Sequence, residues 1–194
     1  MPSPPWPNLE PPEYPYVAGN GSTWYASDLG IAVERYDDFC VPIFNPLPYF
    51  PCLIFNYKER AYLVSPSFTI YGPCCIYQKK WEIPKRDFMK EFDKNYNGST
   101  QGFGKTPLNE KLNWWIIPDN DGSMFGGYAW TVEKKQNGFH VPVDFWYAGE
   151  IGWAQQIFYD FTDSGPEVEE IDNFTLPPEC INVRQTCLDK LSRL

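Results

Sequence analysis

Six cysteines, at Cys40, Cys52, Cys74, Cys75, Cys180 and Cys187, fall into two groups with none from residue 76 to residue 179. Their even number, the adjacent pair Cys74-Cys75 and the lack of a CxxC or Cys/His metal spacing select disulfide chemistry over zinc. Spacing alone leaves the pairing open. It does require the tail to fold back onto the first third of the chain, and it points to an oxidising compartment.

Asn-X-Ser/Thr acceptors at Asn20, Asn97 and Asn173 agree with a secreted glycoprotein, since each lies beside turn-forming residues that a glycan would find in solvent. The start, Met1-Pro2-Ser3-Pro4-Pro5-Trp6-Pro7, has neither a basic segment nor an apolar run. No signal peptide is visible in it, and the chain reads as a mature or truncated form.

Catalytic chemistry has little to build on. His140 is the one histidine, placed on the outward stripe of a predicted strand, so any Ser-His-Asp or Cys-His relay would rest on it alone. Cysteines held in bridges are not nucleophiles. The chain therefore reads as a protein that is not an enzyme. Calcium has two candidate places. Asp119-Asn120-Asp121-Gly122 lacks the downstream bidentate Glu of an EF-hand and reads as a hairpin turn. The acidic stretch Asp163, Glu167, Glu169, Glu170 and Asp172 is a solvated loop whose end residues Asp163 and Asp172 could join main-chain carbonyls around a weak Ca2+ site.

The elements that position these residues follow from composition and pattern. With 194 residues the chain is long enough for one well-buried domain. A net charge of -9 excludes nucleic acid as a partner. No run approaches the roughly 18 apolar residues of a membrane span. Aromatic residues make up 18% of the chain, and 20 prolines and 14 glycines interrupt long helices, which together describe an all-β protein. Residues 1–20 form a Pro-rich extended arm ahead of a single domain over 21–194.

Strands are predicted at Thr23–Ser27 and Ile31–Asp38 around Asp28-Leu29-Gly30, at Leu53–Asn56 and Ala61–Val64 around a charged tip, and at Cys74–Gln78. Residues 85–94 read as a helix with Phe88, Met89 and Phe92 on one face, and Asn97–Pro107 as a loop. Leu112–Ile117, Gly127–Val132, Phe139–Phe145 and Ile151–Phe161 form an antiparallel meander joined by Asp-Gly and Asn-Gly turns. In it Phe139, Val141, Val143, Phe145 and Tyr147 alternate along the buried face. Trp146 and Phe158 fall on the outward stripes, which suggests a homodimer contact. A short terminal helix around Arg184–Leu194 carries Cys187.

The order of these pieces resembles the ependymin-related proteins. Trp24-Tyr25 opens a strand ahead of Val33-Glu34-Arg35-Tyr36-Asp37. Cys52 leads into Tyr57-Lys58-Glu59-Arg60-Ala61-Tyr62, and the Cys74-Cys75 pair follows. Phe158-Tyr159-Asp160-Phe161 then runs through an acidic loop with Pro166 to Phe174-Thr175-Leu176-Pro177-Pro178-Glu179-Cys180. The resemblance spans Trp24 to Cys187. It implies a secreted protein with a LolA-like sandwich of two stacked, curved antiparallel sheets, a large hydrophobic pocket between them, frequent homodimers and calcium binding. The same likeness suggests Cys74 or Cys75 paired with Cys180, Cys52 with Cys187, and Cys40 with the remaining cysteine. Cys74 and Cys75, as strand neighbours, point to opposite faces and need different partners.

Within such a sandwich Trp114, Trp115, Trp130, Phe139, Phe145, Trp153 and Tyr159 would line the inner faces and bind an apolar small molecule, a lipid or a carotenoid. The alternative is a calcium-binding extracellular structural or adhesion protein in which these aromatics are core.

Overall fold

The computed structural model describes residues 17–41, 49–85, 87–101, 111–118, 124–133, 140–149, 152–162 and 174–192. It is an all-β fold of two antiparallel five-stranded sheets, as the composition indicates. The chain divides into two compact units, Val17–Asp87 with Pro166–Leu194, and Met1–Tyr16 with Phe88–Gly165.

The first unit holds β1 (Gly21–Ala26), β2 (Ile31–Tyr36), β3 (Cys52–Tyr57), β4 (Arg60–Val64) and β5 (Cys74–Gln78), in that spatial order. A 3-10 turn at Ser27–Leu29 joins β1 to β2 and closes on Gly30, whose φ of 67° suits a residue without a Cβ. Lys58 and Glu59, at φ 48° and 63°, form the two-residue tip between β3 and β4, where Tyr57 pairs with Arg60. Two positive φ values match a type I′ hairpin, the turn whose twist fits the flanking strands.

Both faces of this sheet are buried. Cys52, Ile54, Ala61, Leu63 and Cys75 pack with Cys40, Phe50, Tyr71 and Cys187 on one side. Ile31, Val33, Phe55, Tyr62, Val64, Cys74 and Ile76 pack with Cys180 on the other, against Trp24, Phe174 and Leu176. Burial of each such large apolar side chain is worth about 1.5–3 kcal/mol.

Disulfides join Cys40 to Cys52, Cys74 to Cys180 and Cys75 to Cys187. The tail does return to the early strands, and Cys74 and Cys75 do take different partners. The expected Cys52–Cys187 bridge is replaced, for a geometric reason. The tail runs along edge strand β5, where Thr186 bridges Ile76 in parallel and the Ile76 amide donates to the Gln185 carbonyl at 2.9 Å. Cys52 lies on β3, two strands away, or about 9.6 Å. That exceeds the Cα separation a disulfide spans. Cys40, just past the end of β2, is the cysteine within reach, with Cα atoms 5.2 Å apart. The terminal helix α1 (Cys187–Leu191) starts in a capping box. The Thr186 hydroxyl accepts from the Asp189 amide at 3.1 Å, and the Asp189 carboxylate accepts from the Thr186 amide at 2.8 Å.

The second unit holds β6 (Tyr96–Gln101), β7 (Lys111–Pro118), β8 (Met124–Thr131), β9 (Pro142–Gly149) and β10 (Gly152–Ile157), each beside the next. The meander therefore stands, with one strand more than predicted. Residues 97–101, read as loop, belong to β6, because Ser99 and Gln101 pair with Asn113 and Lys111 and a register shift around Gly98 absorbs its φ of 92°. The helix predicted over 85–94 is a 3-10 segment at Phe88–Asn95. Strand β9 extends four residues past Phe145, since Gly149 pairs with Gly152.

Candidate functional site

Strand alternation and register build one aromatic line across the second sheet. Tyr96 pairs with Trp115, Trp115 with Tyr128, Tyr128 with Phe145, and Phe145 with Gln156, so residues on all five strands share a face. The rings of Tyr96 and Trp115 lie 5.4 Å apart, and those of Tyr128 and Phe145 stack at 4.7 Å. Phe88, from the 3-10 segment, meets Tyr128 edge-on at 5.5 Å. Trp115, Tyr128 and Phe145 are half-buried, and Tyr96 keeps 48% of its surface in solvent.

Polar groups border this line. The Tyr96 hydroxyl and the Ser99 hydroxyl both donate to the Asn113 side-chain oxygen, at 3.1 and 2.6 Å. Trp130 pairs with Asn113 next to the line, and its indole N–H is buried with no partner among the described residues. A buried donor of this kind costs free energy unless something accepts from it.

The opposite face is closed. Leu112, Trp114, Ala129, Thr131 and Asp144 are each 1% exposed or less. Trp114, Ala129, Asp144 and Ile157 stand opposite one another on successive strands. One Asp144 oxygen accepts from the Gln155 side-chain amide at 2.6 Å, and the other is buried without a partner among the described residues. Burial pushes the Asp144 carboxyl up to about 7, against the smaller lowering effect of the Gln155 hydrogen bond.

The residues singled out from sequence therefore separate. Trp114 belongs to the closed face, whereas Trp115, Trp130 and Phe145 belong to the aromatic one. Neighbours on a strand cannot share a face, so Trp114 and Trp115 do not line one pocket. Trp153 pairs with Ala148. Tyr159 lies past the end of β10 and is 63% exposed. Phe139, Asp163, Asp172 and Asn173 lie outside the described residues. Asn20 and Asn97 are exposed. Trp146, read as an outward residue, pairs with Gly127 and Gln155, and Phe158 is half-buried with its amide donating to the Val143 carbonyl. The buried stripe also changes parity. A register shift between Ala129 and Trp130 leaves Val143 and Asp144 both buried, so alternation fails there.

His140 is exposed, and its Nδ1 donates to the Thr131 carbonyl at 2.9 Å. Among the described residues no three His, Cys, Asp or Glu side chains gather as a metal site, and no helix is long and apolar enough to cross a membrane.

No family model, curated protein or solved structure matches this chain.

Sequence reasoning missed Tyr96, Tyr128 and Phe88 on the aromatic face and Asp144 on the other. Tyr128 was legible, because antiparallel pairing of the predicted strands Leu112–Ile117 and Gly127–Val132 sets it near Trp115. Tyr96 was hidden at the seam between a predicted helix and loop.

Proposed function

We propose that this protein is an extracellular, ependymin-like binder of an elongated apolar small molecule of the lipid or carotenoid class, and not an enzyme. The observation that carries this reading is the aromatic line Tyr96, Trp115, Tyr128 and Phe145. Four rings set on adjacent strands, about 4.8 Å apart, make a strip roughly 14 Å long. Such a strip suits a long, thin hydrocarbon, which gains dispersion contacts and burial at about 25 cal/mol per Å² along its length. The Trp130 N–H beside the strip, buried with no partner among the described residues, supplies a donor for one oxygen at the ligand's polar end. Three disulfides with no free cysteine support an oxidising compartment. A homodimer belongs to the same reading, and light scattering would register it as twice the 22.6 kDa chain mass.

The test is native mass spectrometry and an absorption spectrum of protein taken from its source, followed by titration of delipidated protein with a fluorescent polyene fatty acid. A retained apolar molecule, and an affinity lowered at least tenfold by Trp115→Ala, are the expected results. Protein that carries no extractable apolar molecule and gives no saturable titration overturns the reading.

A further inference from the structure

The first unit carries a cluster of cations that the apolar reading does not use. A hollow of about 260 Å³ is lined by Arg60, Ile76, Lys79, Val183 and Arg184. Three of its five described lining residues are cationic and none is acidic, in a chain with 16 basic against 25 acidic residues. None of the three has an ion-pair partner among the described residues, whereas Arg35 is held by Asp37 at 2.9 Å.

The cluster is assembled by the fold. Arg60 opens β4, and because Ala61 pairs with Gln78, Lys79 follows at the adjoining end of β5. Arg184 comes from the tail, between Cys180 and Cys187, which are both bonded to β5. The Ile76 amide bond to the Gln185 carbonyl, with the Thr186 bridge, sets that stretch of tail beside the strand. Ile76 and Val183 supply an apolar wall.

Like charges are not gathered without cost. Three cations around one hollow repel one another, and an anion among them removes that repulsion. We propose that this hollow is a binding site for a phosphate or sulfate ester. Two guanidinium forks and one ammonium match a tetrahedral oxyanion, whose several oxygens accept bidentate hydrogen bonds from more than one side. The carbon bonded through the ester oxygen then packs on Ile76 and Val183. A nucleic acid would need a longer basic track than three residues on an acidic chain provide.

The test uses the full, disulfide-bonded chain at roughly 20 mM ionic strength, a condition in which screening of exposed charges is weak. Inorganic sulfate, inorganic phosphate and glucose 6-phosphate are titrated by calorimetry and by thermal shift, with sodium chloride at matched ionic strength as control, and vesicles containing phosphatidic acid form a separate arm. Saturable binding with a raised Tm is expected for glucose 6-phosphate or for the vesicles, which distinguishes a free from a lipid-borne ester, with inorganic phosphate and sulfate binding more weakly through the oxyanion alone. Arg184→Gln and Arg60→Gln should each weaken binding about tenfold, Arg184→Lys less, and Arg35→Gln should leave it unchanged. A chloride control that reproduces the whole thermal shift, or an Arg184→Gln variant that binds as the parent does, overturns the proposal. Both arginines are exposed, so the variants should fold, and circular dichroism with a disulfide count verifies that they have.

Discussion

Cys74 and Cys75, consecutive on β5, fix Cys180 and Cys187 of one tail to opposite faces of the same sheet. The tail thereby straddles an edge strand and covers it, which hides the unpaired groups an exposed edge would offer to another chain. The closed loops span 106 and 112 residues, against 12 for Cys40–Cys52. On the chain-entropy account, removing Cys74–Cys180 or Cys75–Cys187 alone as an Ala pair should cost about 3 kcal/mol, because the other bridge still closes nearly the same loop, and so should removing Cys40–Cys52, whereas removing both tail bridges should cost about 7 kcal/mol. Urea unfolding of these variants checks the ranking. A loss from removing both tail bridges no larger than that from the short loop would contradict it.

Asp144 makes stability fall as pH rises. Its folded carboxyl titrates at about 7, above its ordinary value of 3.8, so the folded state binds the proton more tightly than the unfolded state does. Its contribution is fully present below about 3.8, declines from there to about 7, and is lost above. Asp144→Asn removes this dependence, and the variant should gain on the parent by up to about 4 kcal/mol between pH 4 and pH 8. Denaturant melts at both ends of that range measure it. A constant difference between the two proteins would show that Asp144 does not titrate this way.

On the aromatic face, Trp115→Ala removes the ring beside both Tyr96 and Tyr128. We expect polyene affinity to fall at least tenfold, with a stability loss of about 2–3 kcal/mol for a half-buried aromatic. Trp114→Ala, on the closed face, should cost more stability, about 3–5 kcal/mol, and change affinity less. Equal effects of the two on affinity would refute the division of faces.

The Lys58-Glu59 tip holds two non-glycine residues at positive φ. Replacing them with Asn-Gly should stabilise the hairpin by about 1 kcal/mol, since those residues adopt a type I′ turn at lower cost. A thermal melt that shifts downward would mean the tip contributes contacts worth more than its strain.

His140→Ala should leave polyene binding intact, because the one described role of this ring is a hydrogen bond to the Thr131 carbonyl at an exposed position. Loss of binding on this change would move the site toward the start of β9.

The alternation and turn dipeptides of residues 112–157 made the meander legible in the sequence, since period two and Asp-Gly or Asn-Gly hairpins are local properties. The same holds for Ile31–Tyr36 and Cys74–Gln78, whose β-branched and aromatic residues lie between turn formers. The 3-10 segment at Phe88–Asn95 was misread as a longer helix because its apolar spacing fits both. Strand β6 was hidden because Asn97-Gly98-Ser99-Thr100 has loop composition and becomes a strand only by pairing with β7.

Composition and cysteine placement, by themselves, determined an all-β, disulfide-bonded protein with its tail returned to its early strands. Only the tertiary structure decided which sulfurs meet, which face each tryptophan joins and which cations share a hollow. These depend on register and on the path of the tail, and a shift of one residue sends a side chain to the other face without any change in the local pattern that the sequence displays.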